Sequence, residues 1–262
     1  MSLIIKTKKE KDKIPIASIE HNEKSNYVYV DFDDNSNSEI KQYKCGQGEK
    51  INWNPYVLDE QRTAIYISGI SGSGKSSFAR IAIDKLREQK RFKKNEIYFI
   101  SLKDCNEEGS VDKCFDGLKG FFPIDVHRED FLSVQWSDFE NCIVVFDDYN
   151  QLAKKDPLYI HINTLLKKLL ELGRKQNVML IIINHMTQNY NETRNIIFEA
   201  DTVVLFPRSN LNSTIRFVKS YVSDDKQLLE EITNIKGNQF VPLIIHKTAP
   251  QYLMTNKWIK LF

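Results

Sequence analysis

Lys75 and Ser76 end the run Gly69-Ile70-Ser71-Gly72-Ser73-Gly74-Lys75-Ser76, whose spelling G-x-x-x-x-G-K-S suits it to holding phosphates. Glycines let the backbone approach an anion without a Cβ clash, and successive N–H groups at a helix start attract that anion. In such a loop the lysine ammonium reaches the β and γ phosphates and the serine hydroxyl ligates Mg²⁺. Gly69, Ser71, Gly72, Ser73, Gly74, Lys75, Ser76 and Ser77 are the expected nucleotide contacts, with Ser76 also a metal ligand. Both flanks agree with this reading. Residues 63–68 are a short apolar, β-branched run and read as a buried strand, while 77–86 read as an amphipathic helix with Phe78, Ile81, Ala82 and Leu86 on one face. A chance glycine-serine turn would not bring both. The implied ligands are ATP and Mg²⁺.

A second cluster is acidic. Cys142-Ile143-Val144-Val145-Phe146-Asp147-Asp148 is an apolar strand that ends in two carboxylates. A phosphate-loop enzyme needs an acid at the end of the neighbouring strand, because the Mg²⁺ held by the loop serine is completed by a carboxylate, usually through water. Asp147 is the expected metal residue. Asp148 is the expected catalytic group, orienting or deprotonating an attacking water, although an Asp there can also simply cap a turn. A second acid favours a hydrolysing motor over a small-molecule kinase, which places a substrate hydroxyl where that water sits. A later strand ends in Ile183-Asn184-His185, and either Asn184 or His185 could sense the γ-phosphate; a lone His is more often structural. Arg174, Arg194 and Arg208 are candidates for a guanidinium lent by a neighbouring subunit, an effect worth about 10³–10⁵ in rate.

These residues need a scaffold. From residue 63 onward strand and helix patterns alternate, which predicts a mostly parallel sheet. The expected strands are 64–68, 96–101, 142–146, 178–183 and 202–206, and a strong helix spans 160–172 with Ile162, Leu165, Leu166, Leu169 and Leu170 on one face and Gly173 as its C-terminal cap. Ahead of this core, 27–32 and 40–45 read as a hairpin around a turn cluster at 33–38. Beyond Pro207 come helical patterns at 214–222 and 225–235, then β-like stretches at 240–246 and 251–261. The fold class is α/β: a P-loop NTPase three-layer sandwich with a small N-terminal β appendage and a C-terminal α/β extension. The expected division is 1–60 for the arm and hairpin, 61–207 for the core and 208–262 for the extension.

Composition sets limits. The 262 residues are 41% hydrophobic and 27% charged with a net charge of +2, ordinary for a globular protein and too small to demand a nucleic-acid partner. No apolar run reaches the length of a membrane span, and the N-terminus lacks a signal peptide's apolar stretch. Cys45, Cys105, Cys114 and Cys142 form no C-x-x-C pair and are expected to be reduced. Lysines cluster at 6–13, 154–155 and 167–168, either as solvated faces or as contacts to DNA phosphates.

The phosphate loop, the acidic pair, Leu172-Gly173-Arg174-Lys175-Gln176-Asn177 before the strand 178–183, Asn184-His185, Asn191-Glu192-Thr193-Arg194 and the run 199–207 follow one order. That order resembles the P-loop ATPases of large DNA viruses, the FtsK–HerA group that includes genome-packaging ATPases. The resemblance runs from about residue 65 to 207 and more loosely to Ala249-Pro250-Gln251-Tyr252. It implies an oligomeric, Mg²⁺-dependent ATP hydrolase that translocates double-stranded DNA, in the host cytoplasm or the virion. Arg174 matches the arginine that the family uses in trans. The family's sensor is usually a Gln, and His185 falls at that place. Two other readings stay open: a nucleoside or polynucleotide kinase, supported by the Ser71–Ser77 spelling, and an ATP-dependent switch or scaffold.

Overall fold

The structure is a computed structural model, described here for residues 1–11, 13–32, 40–57, 64–89, 92, 96–103, 111–149, 151–185, 193–235 and 237–262. The expected turn at 33–38, the first strand residue Thr63, Cys105 and the Asn191-Glu192 pair lie outside these residues. The chain folds as two compact units, residues 1–58 with 202–262, and residues 59–201.

The first unit opens with β1 (Ser2–Lys6), β2 (Ala17–His21), β3 (Lys24–Asp31), β4 (Gln42–Lys44) and β5 (Lys50–Trp53). The sheet order β1-β3-β2-β5 is antiparallel throughout. The expected hairpin between 27–32 and 40–45 is not formed. Strand β3 instead folds back on β2 across Asn22 and Glu23, both left-handed (φ 46° and 63°), the twist that a two-residue hairpin turn requires. Residues 2–6, at the start of the expected N-terminal arm and largely ahead of the lysine cluster at 6–13, supply β1 to this sheet.

The second unit holds the phosphate loop. It contains β6 (Ala64–Ser68), α1 (Lys75–Arg87), β7 (Glu96–Ser101), β8 (Phe121–Asp125), β9 (Cys142–Asp147), α2 (Pro157–Leu172), β10 (Met179–Asn184) and α3 (Arg194–Glu199). Its strands lie in the order β6-β10-β9-β7-β8, all parallel. Every residue of β6, β9 and β10 is buried, as expected of strands covered on both faces. Helix α1 buries Phe78, Ala79, Ala82, Ile83 and Leu86; Ile81, expected on that face, is 51% exposed because the buried stripe runs through 79 and 83 instead. Helix α2 buries the five residues expected of it and starts a turn earlier, with Asp156 accepting from Leu158 N–H (2.8 Å) and Pro157 at its first position. Gly173 is the C-cap of α2 as expected, in a right-handed conformation (φ −58°). It opens a 3₁₀ turn over Gly173–Gln176, and Asn177 (φ 55°) makes the left-handed exit into β10.

The first unit closes with β11 (Thr202–Leu205), α4 (Leu211–Tyr221), α5 (Lys226–Thr233), β12 (Leu243–His246), β13 (Tyr252–Met254) and β14 (Trp258–Leu261). Strands β11 to β14 form an antiparallel meander, and β4 pairs with β14.

Candidate functional site

Parallel pairing brings four strand ends into line. Asn184 on β10 lies opposite Ser68 on β6, Ile183 opposite Asp147 on β9, and Asp147 opposite Ser101 on β7. The expected arrangement had the acidic strand next to the phosphate-loop strand; β10 lies between them. Its C-terminal end, Asn184 and His185, therefore stands between the loop and the acidic pair.

The loop leaves β6 at Gly69, whose N–H donates to Asn184 O (3.3 Å). Gly72 and Gly74 are left-handed (φ 72° and 96°), and a Cβ at Gly72 would meet nothing within 4 Å, so backbone conformation alone calls for glycine there. Gly74 caps α1 without a side-chain hydrogen bond, and no acid occupies the helix's first turn. The N–H groups of that turn are left to an anion. Ser73 is buried and its Oγ has no hydrogen-bond partner among the described residues, whereas Ser71 and Ser77 are exposed.

Lys75 is 7% exposed and its Nζ donates to Ile70 O within the loop (3.1 Å). The same Nζ lies 3.3 Å from His185 Nδ1, and His185 Nε2 lies 2.9 Å from Asp148 Oδ2. An ammonium can only donate, so in this arrangement Nδ1 accepts from Lys75 and Nε2 donates to Asp148. Burial pushes the Lys75 amine below its usual value, and the charges of Asp148 and Asp147 pull it back up. Asp148 is left-handed (φ 48°), a conformation that Asp tolerates better than most residues and that turns the chain sharply after β9. Its second oxygen, Oδ1, is buried with no partner among the described residues.

Asp147 is 8% exposed, and its carboxyl is pushed up to about 6 by burial first and by the Asp148 charge second. A buried carboxylate beside a second carboxylate offers oxygen donors of the kind that suit Mg²⁺. Ser76 and Asp147 fit that ion. Sequence reasoning missed two neighbours. Asp112, whose carboxyl is held below its usual value first by the Cys114 N–H it accepts from, adds negative charge near Asp147, and the Lys103 charge favours the ionised forms of both.

The arginines are less informative. Arg174 lies exposed in the 3₁₀ turn before β10, Arg194 exposed at the start of α3, and Arg208 exposed in the other unit. Several lysines of the basic clusters pair locally: Lys6 and Lys13 with Glu10, Lys167 with Glu171. Cys45, Cys114 and Cys142 are unbridged. No helix among the described residues is long and apolar enough to cross a membrane.

A glycine-rich loop between a buried parallel strand and a helix N-terminus, with acids at a nearby strand end, defines the class as a P-loop NTPase. The mostly parallel α/β sheet is that of a P-loop NTPase fold, as expected from the sequence. Protein V3 of the Sputnik virophage, uncharacterised, is 28% identical over 201 residues, covering 76% of this chain and 77% of that protein. The crystal structure of B204, the DNA-packaging ATPase of Sulfolobus turreted icosahedral virus, aligns with a TM-score of 0.50 at 17% identity over 74% of this chain and 97% of that one. The cytoplasmic domain of the type VII secretion ATPase EccC of Thermomonospora curvata aligns with a TM-score of 0.50 at 13% identity, over 83% of this chain and 28% of that one. At these identities the two solved structures share the fold. No family model matches the chain.

Proposed function

We propose that this protein is an Mg²⁺-dependent ATP hydrolase that acts as an oligomer to move double-stranded DNA into a viral capsid, in the host cytoplasm or at the virion. The observation that carries the hydrolase reading is the Lys75–His185–Asp148 chain with Asp148 Oδ1 unpartnered among the described residues. Lys75 holds the β and γ phosphates once ATP enters. Asp148 Oδ1 orients a water toward the γ-phosphorus and takes its proton, and His185 keeps the carboxylate turned to that task. Ser76 and Asp147 would hold Mg²⁺, which supplies neutralising charge at the phosphates. The placement of β10 between β6 and β9 supports hydrolysis over the kinase reading, because it fills the space beside the loop with Asn184 and His185.

Packaging rests on the fold shared with B204 and the sequence likeness to a virophage protein. Arg174 is the candidate to complete a neighbouring subunit's site. The test is the ATPase rate with and without double-stranded DNA, alongside the mass of the assembly in saturating ATP. Stimulation by DNA and a multimeric mass are expected. A monomer indifferent to DNA would leave an ATP-dependent switch or scaffold.

A further inference from the structure

An ammonium has three N–H bonds to give. In the structure Lys75 gives one to Ile70 O (3.1 Å) and one to His185 Nδ1 (3.3 Å). A loop lysine that holds the β and γ phosphates needs two of the three. Ile70 belongs to the loop itself, so its bond goes with the loop and survives. ATP therefore takes Lys75 away from His185.

The ring is not at rest after that exchange. His185 Nε2 still donates to Asp148 Oδ2 (2.9 Å), which leaves Nδ1 with a bare lone pair. Where the ammonium stood, that lone pair now meets phosphate oxygens, acceptor against acceptor. A proton on Nδ1 turns the clash into an N–H···O⁻ bond, one of the stronger kinds. Charge points the same way. The ring loses a cation and gains an anion in its place, with the Asp148 carboxylate on its other side, and neighbouring anions favour the imidazolium. Among the described residues the charged groups that meet the ring are Lys75 from α1 and Asp148 beyond β9; Asp147 and Lys103 are the further charges that act on Lys75. The His185 side chain is 36% exposed, so solvent can supply the proton directly.

We propose that His185 takes one proton from solvent when a nucleoside triphosphate fills the loop, and as an imidazolium donates to the γ-phosphate while still holding Asp148. A diphosphate brings no γ-phosphate to the ring and takes up no such proton. The site thus tells ATP from ADP at the ring that holds its water-orienting acid. The proposal rests on Lys75 binding the β and γ phosphates, as the proposed function holds.

The test is calorimetric. A non-hydrolysable ATP analogue with Mg²⁺ is titrated into the full chain near neutral pH, in buffers of different ionisation enthalpy, which counts the protons taken up. Wild type should take up about 0.5–1 proton more than His185→Gln, whose amide does not titrate. Protons moved by the nucleotide or by Asp147 are common to both proteins and cancel in the difference. With ADP the difference should vanish. The wild-type advantage in affinity for the triphosphate should shrink as pH rises, by up to about tenfold per unit. Imidazole ¹⁵N signals of the wild type, with and without the analogue, give the same reading without a variant: one ring should change to two protonated nitrogens. Equal proton counts in the two proteins, an equal excess with ADP, or unchanged ring signals would overturn the proposal. A wild type that binds neither nucleotide would instead overturn the loop as the phosphate site.

Discussion

His185 and Asp148 meet at 2.9 Å, Nε2 to Oδ2, and the opposite ring nitrogen faces the loop lysine at 3.3 Å. His185 is therefore joined to both the loop lysine and the second acid. His185→Ala should lower kcat by about 10²-fold, the low end for a group supporting proton transfer, with KM for ATP changed less than about threefold. Steady-state phosphate release gives both numbers. An equal loss carried entirely by KM would make His185 a binding residue.

Removing the loop cation should be more severe at the binding step. Lys75→Ala leaves buried phosphates unpaired, a loss of about 2–5 kcal/mol, or roughly 30- to 4,000-fold in affinity. Equilibrium binding of an ATP analogue checks it, and wild-type affinity in that variant would show that the loop is not the site.

Asp147 links the site to pH. Its carboxyl is raised to about 6 in the nucleotide-free protein, so the folded state holds a proton that the unfolded chain has released. Stability therefore falls as pH rises from the ordinary carboxylate value toward 6, and the penalty is complete above it. Asp147→Asn should stabilise the nucleotide-free protein by about 1–3 kcal/mol at pH 7.5 and by little at pH 4. Denaturant melts at the two pH values test this. The same variant should need more Mg²⁺ to bind ATP.

An arginine supplied in trans makes a mixing prediction. Arg174→Ala should bind ATP and turn it over at least about 10³-fold more slowly. Mixing it with Lys75→Ala subunits should restore part of the rate, because each variant damages a different side of a shared interface. No recovery would leave Arg174 a surface residue.

Much of this was legible in the sequence for definite reasons. The glycines at 72 and 74 answer a backbone demand, φ above zero, that few residues meet. Strands β6, β7, β9 and β10 read as apolar runs because parallel strands are covered on both faces. Strand β8, at the end of the parallel order, was hidden: Pro123 interrupts it and Phe122 is 45% exposed. Chain order does not state sheet order, so the insertion of β10 beside β6 could not be read from spacing. Asp112 was invisible for a similar reason. It is one acid in a polar stretch, and only the return of the 113–116 segment to Arg80 of α1 brings its charge near Asp147.

The central claim is that ATP is hydrolysed here with Asp148 serving the water. The most direct measurement is single-turnover phosphate release by wild type and Asp148→Asn, with nucleotide binding followed in the same samples. The expected result is equal binding within about threefold and hydrolysis slowed by about 10²–10⁴-fold in the variant. Wild-type hydrolysis by Asp148→Asn, or no hydrolysis by wild-type protein that binds ATP and Mg²⁺, would contradict it.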